Sequence, residues 1–138
     1  MNRETFGSVE MVKMPDFGIE VLAKVDTGAW SGTLHCTDIH EDNGTLHFSP
    51  LGKPECNTSV AEYEVRTVRS ASGHEQDRYI IPVTLEIKGK TYHTTLGLGD
   101  RESMQREMLL GRKFLIENNI VVDVSLTVDQ DVEAEKYL

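Results

Sequence analysis

An aspartate that closes an apolar stretch and is followed at once by a threonine and a glycine is the most pointed chemical feature of this sequence, Lys24-Val25-Asp26-Thr27-Gly28-Ala29. Placing a carboxylate beside Leu22 and Val25 is costly unless hydrogen bonds hold it. Gly28 permits a tight turn whose amides face the Asp26 carboxylate, and the Thr27 hydroxyl is expected to bond inward and fix the loop. The same three residues also suit an ordinary Asx-turn at a strand end. A second candidate set is His35, Cys36, His40 and His47, which neighbouring strands and turns would have to gather to bind zinc, although their spacing matches no recognised site. Read alone, His35 is a strand histidine with its hydrogen bonds satisfied. Cys36 and Cys56 read as free thiols, one packed in a strand and one on the loop Gly52-Lys53-Pro54-Glu55.

The elements that must position these residues are mostly strands. Ile81, Val83, Leu85 and Ile87 alternate with Pro82, Thr84, Glu86 and Lys88, and Ala61 to Thr67 alternates in the same way. Pro82 predicts an edge or bulge position. Further strands are expected at Val9 to Met14, Ile19 to Val25, Thr45 to Ser49, Thr91 to Leu98 and Ile120 to Val124. Turn signals such as Asp42-Asn43-Gly44 and Lys88-Gly89-Lys90 separate them. One helix is expected, from Arg112 to Asn118, ended by the Asn118-Asn119 pair. An apolar strand running into a Gly turn occurs twice, at Val25-Asp26-Thr27-Gly28 and at Leu109-Leu110-Gly111. The acidic stretch 127–138 reads as a partly mobile tail.

The 138 residues, 38% of them hydrophobic, are expected to form a single all-β domain, with its core in residues 8–124. A chain of that size buries roughly two-thirds of the surface its unfolded form exposes, so neither a metal nor a disulfide is required for stability. A net charge of −9 and a pI near 4.9 argue against nucleic acid and anionic membranes as partners, and favour basic or neutral substrates. No run of 18 apolar residues offers a membrane span, and neither disulfide framework nor apolar leader is evident, so the expected location is the cytoplasm.

Asp26-Thr27-Gly28-Ala29 resembles the signature of aspartic proteases in its retropepsin form. Some eighty residues later such chains have two apolar residues, a glycine and often an arginine opening their one helix, as Leu109-Leu110-Gly111-Arg112 does here. Between the two motifs the family has a flap hairpin over the substrate cleft. Val65 to Ile81 is similar, with its tip at Ser70-Ala71-Ser72-Gly73-His74. The resemblance implies a closed acid-protease barrel with a flap and one short C-terminal helix. Asp26, Thr27 and Gly28 would be its catalytic motif, and Ala29, Trp30, Ser70, Ala71, Ser72 and Gly73 its substrate contacts. Retroviral members carry an acid at the position of Trp30 to pair with the arginine at position 112, which leaves Arg112 without an assigned partner here. Trp30 suits either a substrate subsite or a plain core or interface contact. Family members often have serine or threonine at the position of Gly32.

More narrowly, Ala23 to Ala29, Leu34-His35, Asp100-Arg101 and Met104 resemble a bacterial and archaeal branch labelled ATP-dependent zinc protease. Asp100-Arg101 would then line the way into the cleft, or else form a surface ion pair. Neither a His-Glu-x-x-His zinc motif nor a phosphate-binding Gly-x-x-x-x-Gly-Lys-Ser/Thr loop occurs in the sequence, and no cofactor or metal is expected. Members of the branch are often associated with ligases that add glutamate to proteins, which implies peptide or glutamate-modified protein substrates.

Aspartic proteolysis uses two carboxylates that share a proton and polarise a water molecule. One motif per chain implies a homodimer in which two copies of Asp26 meet at the two-fold axis. A protease-like module that binds peptides or modified tails without cutting them is the alternative of a different class, and a zinc-assisted peptidase is another.

Overall fold

Alternation of buried and exposed side chains sets the layout. In the computed structural model, which describes residues 3–69, 73–99 and 106–127, β3 (Ile19–Val25) buries Ile19, Val21, Ala23 and Val25 and exposes Glu20 and Lys24. It pairs antiparallel with β2 (Val9–Met14), from Val9 opposite Lys24 to Met14 opposite Ile19. The long strand β8 (Glu75–Ile87) buries Ile81, Val83, Leu85 and Ile87 in the same way and pairs with β9 (Lys90–Gly99). Side chains on one face of each strand thus make a common core with Leu34, Leu46, Phe48, Leu96 and Leu110.

Two short turns with consecutive positive φ angles fix hairpin register. Lys88 and Gly89 (φ 52° and 78°) join β8 to β9, and Asn43 and Gly44 (φ 52° and 78°) join β4 (Thr33–Asp42) to β5 (Thr45–Pro50). Such turns match the twist of the strands they connect, and both coincide with turn signals read from the sequence.

The sheet closes on itself. Its strands run in the order β10 (Met108–Leu110), β3, β2, β8, β9, β4, and β10 pairs with β4 as well as with β3. The contact of β10 with β3 is parallel, and that with β4 antiparallel. β5 and β6 (Thr58–Val60) extend the sheet beyond β4. β1 (Glu4–Phe6) lies parallel to β11 (Ile120–Val122) in a separate two-stranded sheet. Only one α-helix occurs among the described residues, α1 (Arg112–Glu117), preceded in the chain by a short 3-10 turn at Pro54–Cys56.

The predicted flap is present as β7 (Glu64–Arg69) paired antiparallel with the first half of β8, from Glu64 opposite Ile80 to Arg69 opposite Glu75. Its strand starts at Glu64 rather than at Ala61. Pro82 falls where β7 has ended and β2 has not yet joined, so β8 has only β9 beside it there, as a residue lacking an amide hydrogen requires. The predicted strand at Ile120 stops at Val122, and the helix stops at Glu117, one residue short of expectation, with Asn119 at φ 57°. Ser70, Ala71, Ser72, Asp100, Arg101, Met104 and the acidic tail from residue 128 lie outside the described residues.

Candidate active site

Asp26 is positioned from both sides. Its chain segment leaves β3 at Val25, which is in register with Leu110 of the parallel strand β10, and the Asp26 amide donates to the Leu110 carbonyl at 2.8 Å. The Asp-Thr-Gly and Leu-Leu-Gly segments therefore meet at one point of the barrel. Beyond Asp26 the chain turns sharply, and the Ala29 amide reaches back to the Asp26 carbonyl at 3.3 Å. Within that turn the Gly28 amide donates to Asp26 Oδ1 at 2.8 Å, the arrangement expected from the sequence. The other carboxylate oxygen lies 4.0 Å from Lys24 Nζ, and 24% of the Asp26 side chain is exposed. The carboxylate is thus aimed by its own turn while one face remains open.

Helix α1 is tied to this turn by its first amides, which have no partner inside the helix. Arg112 donates its amide to the Ala29 carbonyl at 2.7 Å, and Lys113 to the Trp30 carbonyl at 3.0 Å. Such closeness demands glycine at 111, because a Cβ there would sit 2.5 Å from the Trp30 carbonyl oxygen. Gly32 is equally confined, since a Cβ would lie 2.8 Å from the Leu109 carbonyl oxygen and 2.7 Å from Leu96 Cδ2.

Arg112, without a partner in the sequence reading, has two. Its Nη1 donates to the Thr27 carbonyl at 3.0 Å, and its guanidinium carbon lies 5.8 Å from the centre of the Trp30 ring. Trp30 is 53% exposed, so it is not a plain core residue. The Thr27 hydroxyl departs from expectation: the residue is exposed, and among the described residues its carbonyl, not its hydroxyl, makes the hydrogen bond that steadies the loop. Gly73, at the described end of the flap turn, is exposed with φ 88°.

The four residues weighed as zinc ligands do not gather. His35 and Cys36 are buried on β4, whereas His40 and His47 stack on each other at 5.0 Å at the exposed end of the β4–β5 hairpin. Among the described residues, no group of three or more His, Cys, Asp or Glu side chains is arranged to hold a metal ion. Both cysteines are free thiols, and burial pushes the Cys36 thiol up to about 12.

A cavity of about 130 Å³ opens beside the turn. Trp30, Ser31 and Gly32 form one wall and Leu110 another, while Asp26 itself lies outside the lining. Arg66 and Arg78 of the flap strands and Lys113 of α1 also face it. Sequence reasoning does not reach these three cations. Their convergence depends on the β7–β8 register and on where α1 docks, and neither follows from local pattern.

A closed barrel with a flap, and a strand-terminal Asp-Thr-Gly held against a parallel Leu-Leu-Gly strand, defines the retropepsin-like class. The family described as the RimB-like retropepsin-like aspartic endopeptidase RimB matches residues 5–133, and the chain belongs to that family. Among curated proteins it is 28% identical to a "Probable alpha-L-glutamate ligase" of Shewanella halifaxensis (strain HAW-EB4), over 98% of this chain and 32% of that protein. It is also 30% identical to a protein of the same name from Parasynechococcus marenigrum (strain WH8102), over 85% of this chain and 27% of the relative. The chain thus spans about a third or less of the length of these relatives. Among solved structures it is similar to protein Lpg0085 (DUF785), of unknown function, from Legionella pneumophila subsp. pneumophila str. Philadelphia 1. The TM-score is 0.72 at 28% identity, covering 91% of this chain and 97% of that one.

Proposed function

We propose that this protein is an aspartic-type peptidase, active as a homodimer, that hydrolyses peptide or isopeptide-like amide bonds with an Asp26 from each subunit. The observation that carries the reading is the Gly28 amide on Asp26 Oδ1, which orients a partly open carboxylate at the junction of β3 and β10. Two such carboxylates brought together cannot both ionise, so they share one proton. The ionised Asp26 accepts a proton from water as that water attacks the scissile carbonyl, and the protonated one donates to the carbonyl oxygen. Collapse of the tetrahedral species returns a proton to the leaving nitrogen and breaks the C–N bond. The net reaction adds one water across the amide, with no covalent enzyme intermediate. Zinc and ATP, which the branch label invokes, have no role in this chemistry.

Glutamate-modified proteins are the proposed substrates, a reading supported by the ligase names of the curated relatives. Those same names favour one second reading, in which the fold serves as a module that holds a glutamate tail without cutting it.

Asp26→Asn separates the two, because the carboxamide keeps the shape and removes the ionisable group. The peptidase reading expects cleavage of a pooled peptide library by the wild type, unaffected by chelator, and a loss of about 100-fold or more in Asp26→Asn. Absence of cleavage by both forms favours the binding module. Chelator-sensitive cleavage that survives in Asp26→Asn overturns the dyad.

A further inference from the structure

The cavity beside the Asp26 turn is cationic in a chain that is strongly anionic. Its lining includes Arg66, Arg78 and Lys113 and no aspartate or glutamate, whereas the chain as a whole carries a net charge of −9. Chance distribution of charge in such a chain would place acids around a cavity more readily than three bases.

The two arginines also stand directly opposite each other across the flap, Arg66 on β7 and Arg78 on β8. Residues opposed in an antiparallel pair project from the same face, and like charges so placed destabilise the pairing. Glu64 relieves this only in part. Its Oε2 accepts from Arg66 Nη2 at 3.0 Å, but the two side chains are 64% and 59% exposed, so water and salt screen the pair. Arg78 has no carboxylate partner among the described residues. It is half-buried, and its methylene stem is fitted against Gly97, where a Cβ would come within 3.1 Å of Arg78 Cδ. A guanidinium held by its stem, facing a second guanidinium and a lysine, is a site for an anion.

Size and remaining walls narrow the ligand. About 130 Å³ is well below a drug-sized pocket and suits one side chain. Ile80, Leu96 and Phe114 supply an apolar wall for the stem of such a side chain, and the cations would meet its end.

We propose that Arg66, Arg78 and Lys113 form a carboxylate-binding subsite that seats an acidic side chain of the peptide beside the Asp26 turn, and so sets preference for anionic peptides. Such a preference runs opposite to the basic or neutral substrates expected from net charge alone. The role in substrate choice rests on the peptidase reading above, but binding can be measured apart from it.

The experiment titrates the full-length protein, as Asp26→Asn to prevent turnover, with an oligo-glutamate peptide and with an oligo-glutamine peptide of equal length. Calorimetry gives affinity, and the fluorescence of Trp30, the sole tryptophan, reports binding at this cavity. Expected is a preference for oligo-glutamate that weakens as salt rises and falls about tenfold in Arg78→Gln. Arg78→Lys, which keeps a charge on a similar stem, should recover part of the loss, and circular dichroism checks that each variant is folded. Arg78→Glu should shift preference toward oligo-lysine. Equal affinity for the two peptides, no binding of oligo-glutamate at low salt, or oligo-glutamate affinity unchanged in a folded Arg66→Gln/Arg78→Gln variant would each overturn the subsite. Asp26-dependent cleavage without acidic preference removes the subsite alone. Charge-dependent binding without cleavage by the wild type removes the peptidase reading alone.

Discussion

Arg112 Nη1 donates to the Thr27 carbonyl at 3.0 Å, so the side chain that opens α1 clamps the middle residue of the Asp26 turn. The same guanidinium covers the ring of Trp30. Helix, Asp26 turn and the wall of the adjoining cavity are thereby joined through one residue, where the retroviral pattern would join them through an acid at position 30.

Arg112→Ala should loosen the turn more than it unfolds the protein. Because the contact is exposed, the loss of stability should be only about 1 kcal/mol, read from the urea midpoint. Under the peptidase reading, kcat should fall at least about tenfold, since Asp26 is oriented by the turn that Arg112 holds. Arg112→Lys should not restore it, as an ammonium lacks the planar fork that bonds a carbonyl while lying over a ring.

Gly111→Ala and Gly32→Ser test the closeness of the junction. At Gly111 the added Cβ meets the Trp30 carbonyl at 2.5 Å, and at Gly32 it meets the Leu109 carbonyl at 2.8 Å. Backbone cannot move aside as a side-chain tip can, so each change should cost about 1–3 kcal/mol in denaturant unfolding. The serine that the family often carries at position 32 is therefore expected to be unfavourable in this chain.

Much of this fold can be read from local pattern. Period-2 alternation marks β7 and β8, strand candidates separated by turn signals mark β2, β3 and β9, and the Asn43-Gly44 and Lys88-Gly89 turns pin two hairpins. β4 escapes that pattern because Thr33, Leu34, His35 and Cys36 are buried in succession, which hides any alternation. β1, β6 and β10 are three residues long, too short for a period to show. The Asp26 turn is legible because its hydrogen bond is local, two residues apart. By contrast, the Arg112 clamp joins residues 85 apart, and the three cavity cations come from β7, β8 and α1, so both depend on tertiary docking.

Glu41 gives a titration test of the flap base. Tyr63 and Tyr79 both donate their hydroxyls to its carboxylate, and that bond, with the nearby negative charge, raises both phenols above the ordinary value. Glu41→Gln should bring both back toward that value in an absorbance titration. In the wild type, the folded protein holds protons that the unfolded chain has released between the ordinary and raised values. Stability should therefore fall as pH rises through that window, and fall less in Glu41→Gln. Unchanged tyrosine titration in the mutant would contradict the contact.

The central claim is that one active centre needs Asp26 from two chains, and subunit mixing tests it most directly. Wild-type protein is dissociated and reassociated with increasing proportions of Asp26→Asn, and cleavage is expressed per wild-type chain. A shared dyad predicts that this activity falls in proportion to the wild-type fraction, because mixed dimers carry one carboxylate and are inactive. Activity per wild-type chain that stays constant as Asp26→Asn is added would show that each chain works alone, and would contradict the account.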